Sequence, residues 1–209
     1  AFFIPLSEET GFIHKLGMHV IEESCKTLKW LKDTGYNDTS CAINVSIAQL
    51  EHLDGKPLLS HIRNMISEYE IEPSLLEIEI TESMAAKDFN LIKRHVETLR
   101  ELGVVVSLDD FGSGISSFSY LQQLPVHGIK IDGAFVRDID SNPLDQLFVE
   151  MIQRIAHQMG KKTIAEFVEN QAIEDLLIDM GVDFAQGYHI HKPQPWFEYS
   201  KTLEEALTT

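Results

Sequence analysis

Residues 75–82 have the sequence Leu75-Leu76-Glu77-Ile78-Glu79-Ile80-Thr81-Glu82, in which glutamate and isoleucine alternate. Side chains along a β-strand point alternately to opposite faces, so Glu77 and Glu79 are predicted to share one face and Ile78 and Ile80 the other. Two interpretations are open. The segment could be an edge strand with one face in water, or a buried strand whose carboxylates belong to a site.

Five further segments are short, apolar and β-branched, which is typical of buried strands. They are residues 41–46, 104–109, 128–132, 163–166 and 182–186, the last having the weakest pattern. Amphipathic stretches alternate with them and predict helices over residues 12–31, 57–69, 89–102, 144–159 and 171–180. Gly103, Gly160 and Gly181 each follow a predicted helix, where a C-terminal cap favours glycine.

Strands separated by single helices predict βαβ units and a parallel sheet. A doubly wound open sheet and a (β/α)8 barrel both fit this order of elements. The barrel needs two more strands than the sequence contains. The chain opens on the apolar residues Ala1-Phe2-Phe3-Ile4-Pro5, which indicates a cut through a larger protein. The order of elements therefore predicts an α/β fold and leaves both arrangements open. If the fold is a TIM-like barrel, its first two strands are missing from this chain.

Composition favours one globular domain over residues 1–209, because 44% of the residues are hydrophobic and no stretch is of low complexity. The net charge of −16 argues against nucleic acid and anionic membranes as partners. No apolar run is long enough to insert into a membrane. The two cysteines, Cys25 and Cys41, lack metal-ligand spacing and fit a reducing compartment, so we expect a cytoplasmic domain.

Catalytic side chains of parallel barrels come from the carboxyl ends of the strands. The predicted strand ends carry, in order, Asn44, Glu79, Asp109 with Asp110, Lys130 with Asp132, Glu166, and Gln186. Four carboxylates converging at one mouth repel one another strongly unless cations lie between them. Carboxylate and amide oxygens suit Mg²⁺ or Mn²⁺, whereas these strand ends contain no cysteine or histidine for zinc or iron.

Three features near these strand ends have competing interpretations. Lys130 could neutralise the acidic ring, stabilise a developing phosphorane charge, or do both. The segment Asp109-Asp110-Phe111-Gly112-Ser113-Gly114 is glycine-rich but lacks the Gly-Lys-Ser/Thr of a P-loop, so a mobile metal-site loop is predicted. His189 and His191 could be ligands, although solvated loop histidines are favoured.

Six motifs in order resemble the EAL domain family of bacteria, from about Phe3 to Pro193. They are Asn44-Val45-Ser46, Glu79-Ile80-Thr81-Glu82, Asp109-Asp110-Phe111-Gly112-Ser113-Gly114, Lys130-Ile131-Asp132, Ala165-Glu166-Phe167-Val168-Glu169 and Gln186-Gly187-Tyr188. The resemblance implies an EAL-type barrel that hydrolyses cyclic di-GMP to 5′-pGpG with Mg²⁺ or Mn²⁺, using two ions.

The resemblance also implies a role for each motif residue. The implied metal ligands are Asn44, Glu79, Asp109, Asp110 and Glu166. Asp109 would bridge the two ions. Lys130 and Glu166 would orient and activate the attacking water. Supporting or substrate-binding roles fall to Asp132, Gln186, Glu82 and Glu169. Glu82 would hold the loop that contains Phe111, Gly112, Ser113 and Gly114, which often links dimerisation to the active site in this family.

The chain departs from the family pattern in three ways. The Glu-Ala-Leu segment is expected before Ala1, with a further metal-ligating glutamate and a phosphate-contacting arginine. Phe167 stands where many members have glycine, and Gly133-Ala134 replaces a common Arg-Ser. The sequence leaves three hypotheses. The chain is part of an active phosphodiesterase, a catalytically silent cyclic di-GMP receptor, or an enzyme acting on another phosphate ester or an enolisable substrate.

The resemblance also implies expectations about the parent protein. We expect a homodimer with sensor or GGDEF-type domains upstream of this one. Other domains of the parent protein could anchor it at the inner membrane.

Overall fold

The structure is a computed structural model that describes residues 3–113 and 118–207. Its strands are β1 Cys41–Asn44, β2 Leu76–Thr81, β3 Val105–Phe111, β4 Gly128–Ile131, β5 Lys162–Ala165 and β6 Phe184–Ala185. Its helices are α1 Phe3–Glu9, α2 Ile13–Asp33, α3 Ile47–Glu51, α4 Lys56–Tyr69, α5 Glu82–Lys87, α6 Phe89–Glu101, α7 Phe118–Gln123, α8 Gly133–Val136, α9 Pro143–Gln158, α10 Gln171–Asp179 and α11 Trp196–Leu207. Short 3₁₀ turns span His52–Gly55 and Pro73–Leu75.

The six strands form one parallel sheet in the sequential order β1-β2-β3-β4-β5-β6. A doubly wound sheet reverses direction part-way through its strand order, so this order decides for the barrel-type arrangement. The fold is α/β and TIM-like, and within the described residues it has two strands fewer than the eight of a complete barrel.

The hydrophobic core lies between the outer face of the sheet and the helices. Ile78 and Ile80 of β2 are 1% exposed and pack in the same core as Ile62 of α4 and Ile92 of α6. Glu79 is buried as well, at 6% exposed, but lies on the opposite face of the strand. Since β2 is paired on both sides, by β1 and by β3, the edge-strand interpretation of residues 75–82 is wrong.

Four predicted strands, over residues 41–46, 128–132, 163–166 and 182–186, were one or two residues too long at their carboxyl ends. Short helices begin soon after β1, β2 and β4, and those after β1 and β4 account for the first two of these errors. Ser46 and Thr81 cap α3 and α5 with their hydroxyl groups, and Asp132 caps α8 with its carboxylate. These three short helices, and also α1, α7 and α11, were not predicted from the sequence. By contrast, Gly103, Gly160 and Gly181 all have positive φ, as expected for C-terminal caps.

Candidate active site

Lys130 of β4 is the centre of a buried group of charges. Its Nζ atom lies 2.9 Å from Glu79 Oε1, 2.9 Å from Asp109 Oδ1 and 2.8 Å from Glu166 Oε1. Lys130 is only 4% exposed, so it is not a surface lysine. Burial lowers the pKa of Lys130, but hydrogen bonds with the three carboxylates outweigh this effect and raise the pKa above its usual range. Lys130 is therefore a cation that these carboxylates share.

The carboxylates crowd one another even with Lys130 between them. Burial raises the pKa of Glu79 and of Glu166, which the nearby Lys130 charge only partly opposes. The pKa of Asp110 is also raised, first by burial and then by the charges of Asp109 and Asp132. One ammonium group does not neutralise this cluster, so the site has an excess of negative charge that favours cations.

Asp109 and Asp110 are brought together by an irregularity in β3. Leu108 pairs with Ile129 of β4 and Phe111 pairs with Ile131, so two residues of β3 oppose one residue of β4. Asp110 has φ 55°, in the left-handed region. In a regular strand the two aspartates would point to opposite faces, but a bulge of this kind re-aims a side chain. The predicted strand end at residue 109 is wrong, since β3 continues to Phe111.

Oxygen atoms of Asp109, Asp110 and Glu166 all lie within 4.8 Å of one another. Asp109 is 8% exposed. Its Oδ1 atom lies 2.9 Å from Lys130 Nζ, which is its ion-pair partner. Lys130 supplies one positive charge to three carboxylates, so the cluster remains negative and a further cation would stabilise it. The three oxygens therefore fit a hard divalent cation such as Mg²⁺ or Mn²⁺.

Asn44 lies at the end of β1, beside Glu79. Its Nδ2 atom donates a hydrogen bond to Glu79 Oε2 at 2.8 Å. With the amide nitrogen turned toward Glu79, the amide oxygen is the atom that Asn44 can offer to a cation. Glu77 is two residues before Glu79, on the same face of β2. It accepts a hydrogen bond from Ser107 Oγ and does not contact Lys130.

Glu82 anchors the segment that follows β3. The backbone N–H of Gly112 donates to Glu82 Oε2 at 3.0 Å, and Glu82 is 8% exposed. Ser113 donates its backbone N–H and its hydroxyl group to the Asp110 carbonyl oxygen. Phe111 is buried at the end of β3. Gly114, the last residue of the predicted loop, lies outside the described residues.

The remaining predicted residues lie around this cluster. Asp132 caps α8 by accepting from the Ala134 backbone N–H at 2.8 Å. Gln186 donates its N–H to the Ala165 carbonyl oxygen and accepts from the Val168 N–H, which holds it against the residues after β5. Glu169 is exposed at the rim. A cavity of 290 Å³ beside the cluster is lined by Glu166, Phe167, Glu169, Gln186, Gly187 and Tyr188.

Two aromatic residues line this cavity that were not predicted from the sequence to do so. Phe167, treated there only as a departure from the family pattern, lines it and is 43% exposed. Tyr188 lines it too and is 62% exposed. The sequence signal that could have placed Tyr188 at the site was its position in the Gln186-Gly187-Tyr188 motif. His189 lies 3.2 Å from Glu174 and His191 packs against Tyr199, so neither belongs to the acidic cluster.

Comparison with known proteins places this site in a family. The EAL domain profile matches residues 1–193. The chain belongs to the EAL domain family. Its parallel sheet is thus that of an EAL domain, as the resemblance predicted. Among the helices of the described residues, none combines the length and the apolar character needed to cross a membrane.

Relatives of this EAL chain are considerably longer. Signaling protein YkoW of Bacillus subtilis (strain 168) is 40% identical over 203 residues, which are 97% of this chain and 25% of that protein. The bifunctional diguanylate cyclase/cyclic di-GMP phosphodiesterase MucR of Pseudomonas aeruginosa is 35% identical over 193 residues, which are 92% of this chain and 28% of that protein. This chain spans about a quarter of their lengths.

A solved structure of the PaMucR phosphodiesterase in complex with c-di-GMP has the same fold. It matches with a TM-score of 0.88 and 34% sequence identity, covering 94% of this chain and 78% of that one. The likeness supports the EAL-type architecture of the sheet and helices described above.

Proposed function

We propose that this EAL domain, spanning residues 1–209, hydrolyses cyclic di-GMP to 5′-pGpG in its parent protein. The observation that carries the proposal is the cluster in which Lys130 shares its charge among Glu79, Asp109 and Glu166, with Asp110 close by. Relatives named as cyclic di-GMP phosphodiesterases and the PaMucR complex with c-di-GMP supply the substrate class.

Two divalent cations, Mg²⁺ or Mn²⁺, are proposed as the cofactor. One would be held by Asn44, Glu79 and Asp109, and the other by Asp109, Asp110 and Glu166. The closeness of Asp109 to Asp110 and Glu166, and the Lys130 ammonium that Asp109 shares with Glu79, support a bridging role for this residue. When bound, such cations stabilise the charge on the attacking and leaving oxygens of an in-line displacement.

The protein's own contribution is to hold a water and the substrate in place. Lys130 and Glu166 form a pair at 2.8 Å, and we assign to them the orientation and deprotonation of the attacking water. Burial raises the pKa of Glu166, which makes it a stronger proton acceptor than an exposed glutamate. Gln186 and Glu169 line the adjacent cavity, where they would contact the substrate, while Asp132 and Glu82 fix the segments beside the cluster.

We further propose that the parent protein is a homodimer that pairs through α9. Leu144 and Leu147 of α9 are 74% and 63% exposed, and Met151, one turn later, is 37% exposed. Phe148 lies between them in sequence, and a Cβ atom placed on Gly112 would come within 2.9 Å of its ring. Pairing on this apolar stripe would therefore reach the loop that Glu82 holds. Upstream sensor or GGDEF-type domains would supply the input.

Incubation of the full-length protein with cyclic di-GMP and Mg²⁺ or Mn²⁺, followed by chromatography of the products, tests the catalytic proposal. We expect 5′-pGpG from the wild type and at least a hundredfold slower hydrolysis from Glu79→Gln, a loss typical of removing one electrostatic group from an active site by about 10²–10³. Glu77→Gln, on the same face but outside the Lys130 contacts, is the matched control and should retain activity.

The experiment also separates the alternatives. If cyclic di-GMP binds but no 5′-pGpG appears, the protein is a receptor and the catalytic proposal is wrong. If other phosphate esters are hydrolysed while cyclic di-GMP is not, the assigned substrate is wrong.

A further inference from the structure

Phe167, directly after Glu166, has a backbone conformation that is unusual for a large side chain. Its φ is 54°, in the left-handed region, which bulky residues seldom adopt because of steric strain. Strain of this kind persists only when the surrounding structure enforces it, and it often occurs beside functional groups. Asp110, on the other side of the acidic cluster, has a similar φ of 55°.

Hydrogen bonds on both sides of Phe167 define what this turn does. The Glu166 N–H donates to the Ile131 carbonyl oxygen, and the Val168 N–H donates to the Gln186 carbonyl oxygen. Glu166 points to Lys130, and Val168 is fully buried in the core. The left-handed residue between them therefore allows one neighbour to face the charged cluster and the other to face the core.

The Phe167 ring is held by two residues of the α8 segment. A Cβ atom built on Gly133 would fall inside the van der Waals radius of the ring, so the ring lies directly against the glycine backbone. One helical turn later, Arg137 Cζ lies 4.0 Å from the ring centroid, a cation–π contact. Gly133 is buried. A side chain at position 133 and an aromatic ring at position 167 would compete for the same space.

We propose that Phe167 is a positioning residue and that it works as a pair with Gly133. Packing of the ring on Gly133 and Arg137 holds the left-handed turn that aims Glu166 at Lys130, Asp109 and Asp110. The two departures from the family pattern, at 133–134 and at 167, are then one feature. Phe167 adds a ring where many members have glycine, and Gly133 leaves the space for that ring by replacing a common arginine. For catalysis, the inference rests on the proposed function.

A double-mutant cycle in the full-length protein tests the pairing. The variants are Gly133→Ala, Phe167→Gly and the double variant, with Ala134→Ser as the matched control at an exposed neighbour. The measurements are Mn²⁺ affinity by titration calorimetry, thermal unfolding, and kcat and KM for cyclic di-GMP. Mn²⁺ affinity reports on Glu166 whether or not the protein is a hydrolase.

We expect Gly133→Ala to weaken Mn²⁺ binding about tenfold, and to lower kcat more than KM, because the displaced ring carries Glu166 with it. In the Phe167→Gly background the same alanine should have no further effect. Phe167→Tyr, which keeps the ring, should retain wild-type Mn²⁺ affinity. The Ala134→Ser control should match the wild type in every measurement.

Three results would overturn the inference. The first is an equal effect of Gly133→Ala with and without the ring, since the residues would then be independent. The second is a lower unfolding temperature of Gly133→Ala with unchanged Mn²⁺ affinity, which would show that Phe167 has only a structural role. If Gly133→Ala does not fold, Arg137→Met replaces it, because this variant removes the cation–π contact with the Phe167 ring without adding bulk. Unchanged Mn²⁺ affinity in Arg137→Met is the third result. A wild type that binds Mn²⁺ without hydrolysing cyclic di-GMP contradicts the proposed function but not the pairing.

Discussion

Lys130 Nζ lies 2.8 Å from Glu166 Oε1, and the same ammonium group is 2.9 Å from both Glu79 and Asp109. Lys130 comes from β4, while its partners come from β2, β3 and the residue after β5. One buried cation therefore ties together the ends of four strands. This arrangement makes Lys130 the most informative position for testing both the stability of the site and its chemistry.

Lys130→Met should reduce kcat for cyclic di-GMP by about a hundredfold or more, since it removes a preorganised charge from the site. It should also destabilise the metal-free protein by about 3–5 kcal/mol, as expected when one partner of a buried ion pair is removed. Urea denaturation in a chelator measures the second effect, and added Mn²⁺ should recover part of it. Lys201→Met, at an exposed lysine of α11, is the control. Wild-type kcat in Lys130→Met would contradict the role of Lys130.

The stability of Lys130→Met should depend on pH more steeply than that of the wild type. Burial raises the pKa of Glu79 and Glu166, and loss of the nearby ammonium raises both further. Groups whose pKa is higher in the folded state bind protons more tightly there, so folding becomes more favourable as pH falls. In chelator, the stability deficit of the variant relative to wild type should shrink between about pH 7 and pH 4.5. A constant deficit across this range would contradict the prediction.

Glu82→Ala should loosen the segment after β3, because the Gly112 N–H loses its acceptor. We expect a cost of about 1–3 kcal/mol in unfolding free energy, typical of an unsatisfied buried hydrogen-bonding group. Hydrogen exchange of the Gly112 amide should speed up, and kcat should fall about tenfold if Asp110 moves with the loop. Glu82→Gln keeps an acceptor oxygen and should lie between wild type and Glu82→Ala. Unchanged exchange at Gly112 would show that Glu82 does not hold the segment.

Asp183→Asn should destabilise the protein without affecting the acidic cluster. Asp183 accepts hydrogen bonds from Lys162, His157 and Thr163 at the start of β5, the end away from Glu166. Burial raises the pKa of Asp183, but these partners outweigh burial and hold it well below its usual range. A lowered folded pKa gives stability that is present above the unfolded pKa of about 4 and is lost as pH falls below it.

Urea denaturation between pH 3 and pH 7 measures this effect. We expect Asp183→Asn to lose about 2 kcal/mol at pH 7, the size of charge-assisted hydrogen bonds, and the difference from wild type to narrow toward pH 3. Asp179→Asn, at an exposed aspartate of α10, is the control and should match wild type. A difference that stays constant with pH would show that the charge of Asp183 is not what stabilises this end of the sheet.

Leu147→Glu on α9 should weaken the proposed dimer by placing a charge in its apolar stripe. Burying an unpaired carboxylate at an interface is strongly unfavourable, so we expect the sedimentation coefficient to shift toward that of a monomer. Gln158→Glu adds the same charge at an exposed position at the end of α9 and is the control. If both variants sediment as the wild type does, the dimer does not form through this stripe.

The sequence by itself determined the local features. The alternation of Glu77 and Glu79 with Ile78 and Ile80 predicted the two faces of β2, because side-chain direction in a strand follows a period of two. The glycines after the helices predicted the C-terminal caps, since φ is positive there in each case. Polar residues at successive strand ends predicted which side chains would meet, because the carboxyl ends of parallel strands lie on one edge.

The tertiary structure decided the features that depend on partners distant in sequence. The strand order excluded the open sheet that the βαβ pattern alone had allowed. The bulge that aims Asp109 and Asp110 together exists only in the pairing of β3 with β4. The left-handed turn at Phe167 depends on packing against Gly133, which is 34 residues earlier in the chain. A bulge and a strained turn persist only where contacts between distant segments enforce them, so the sequence of each segment alone does not predict them.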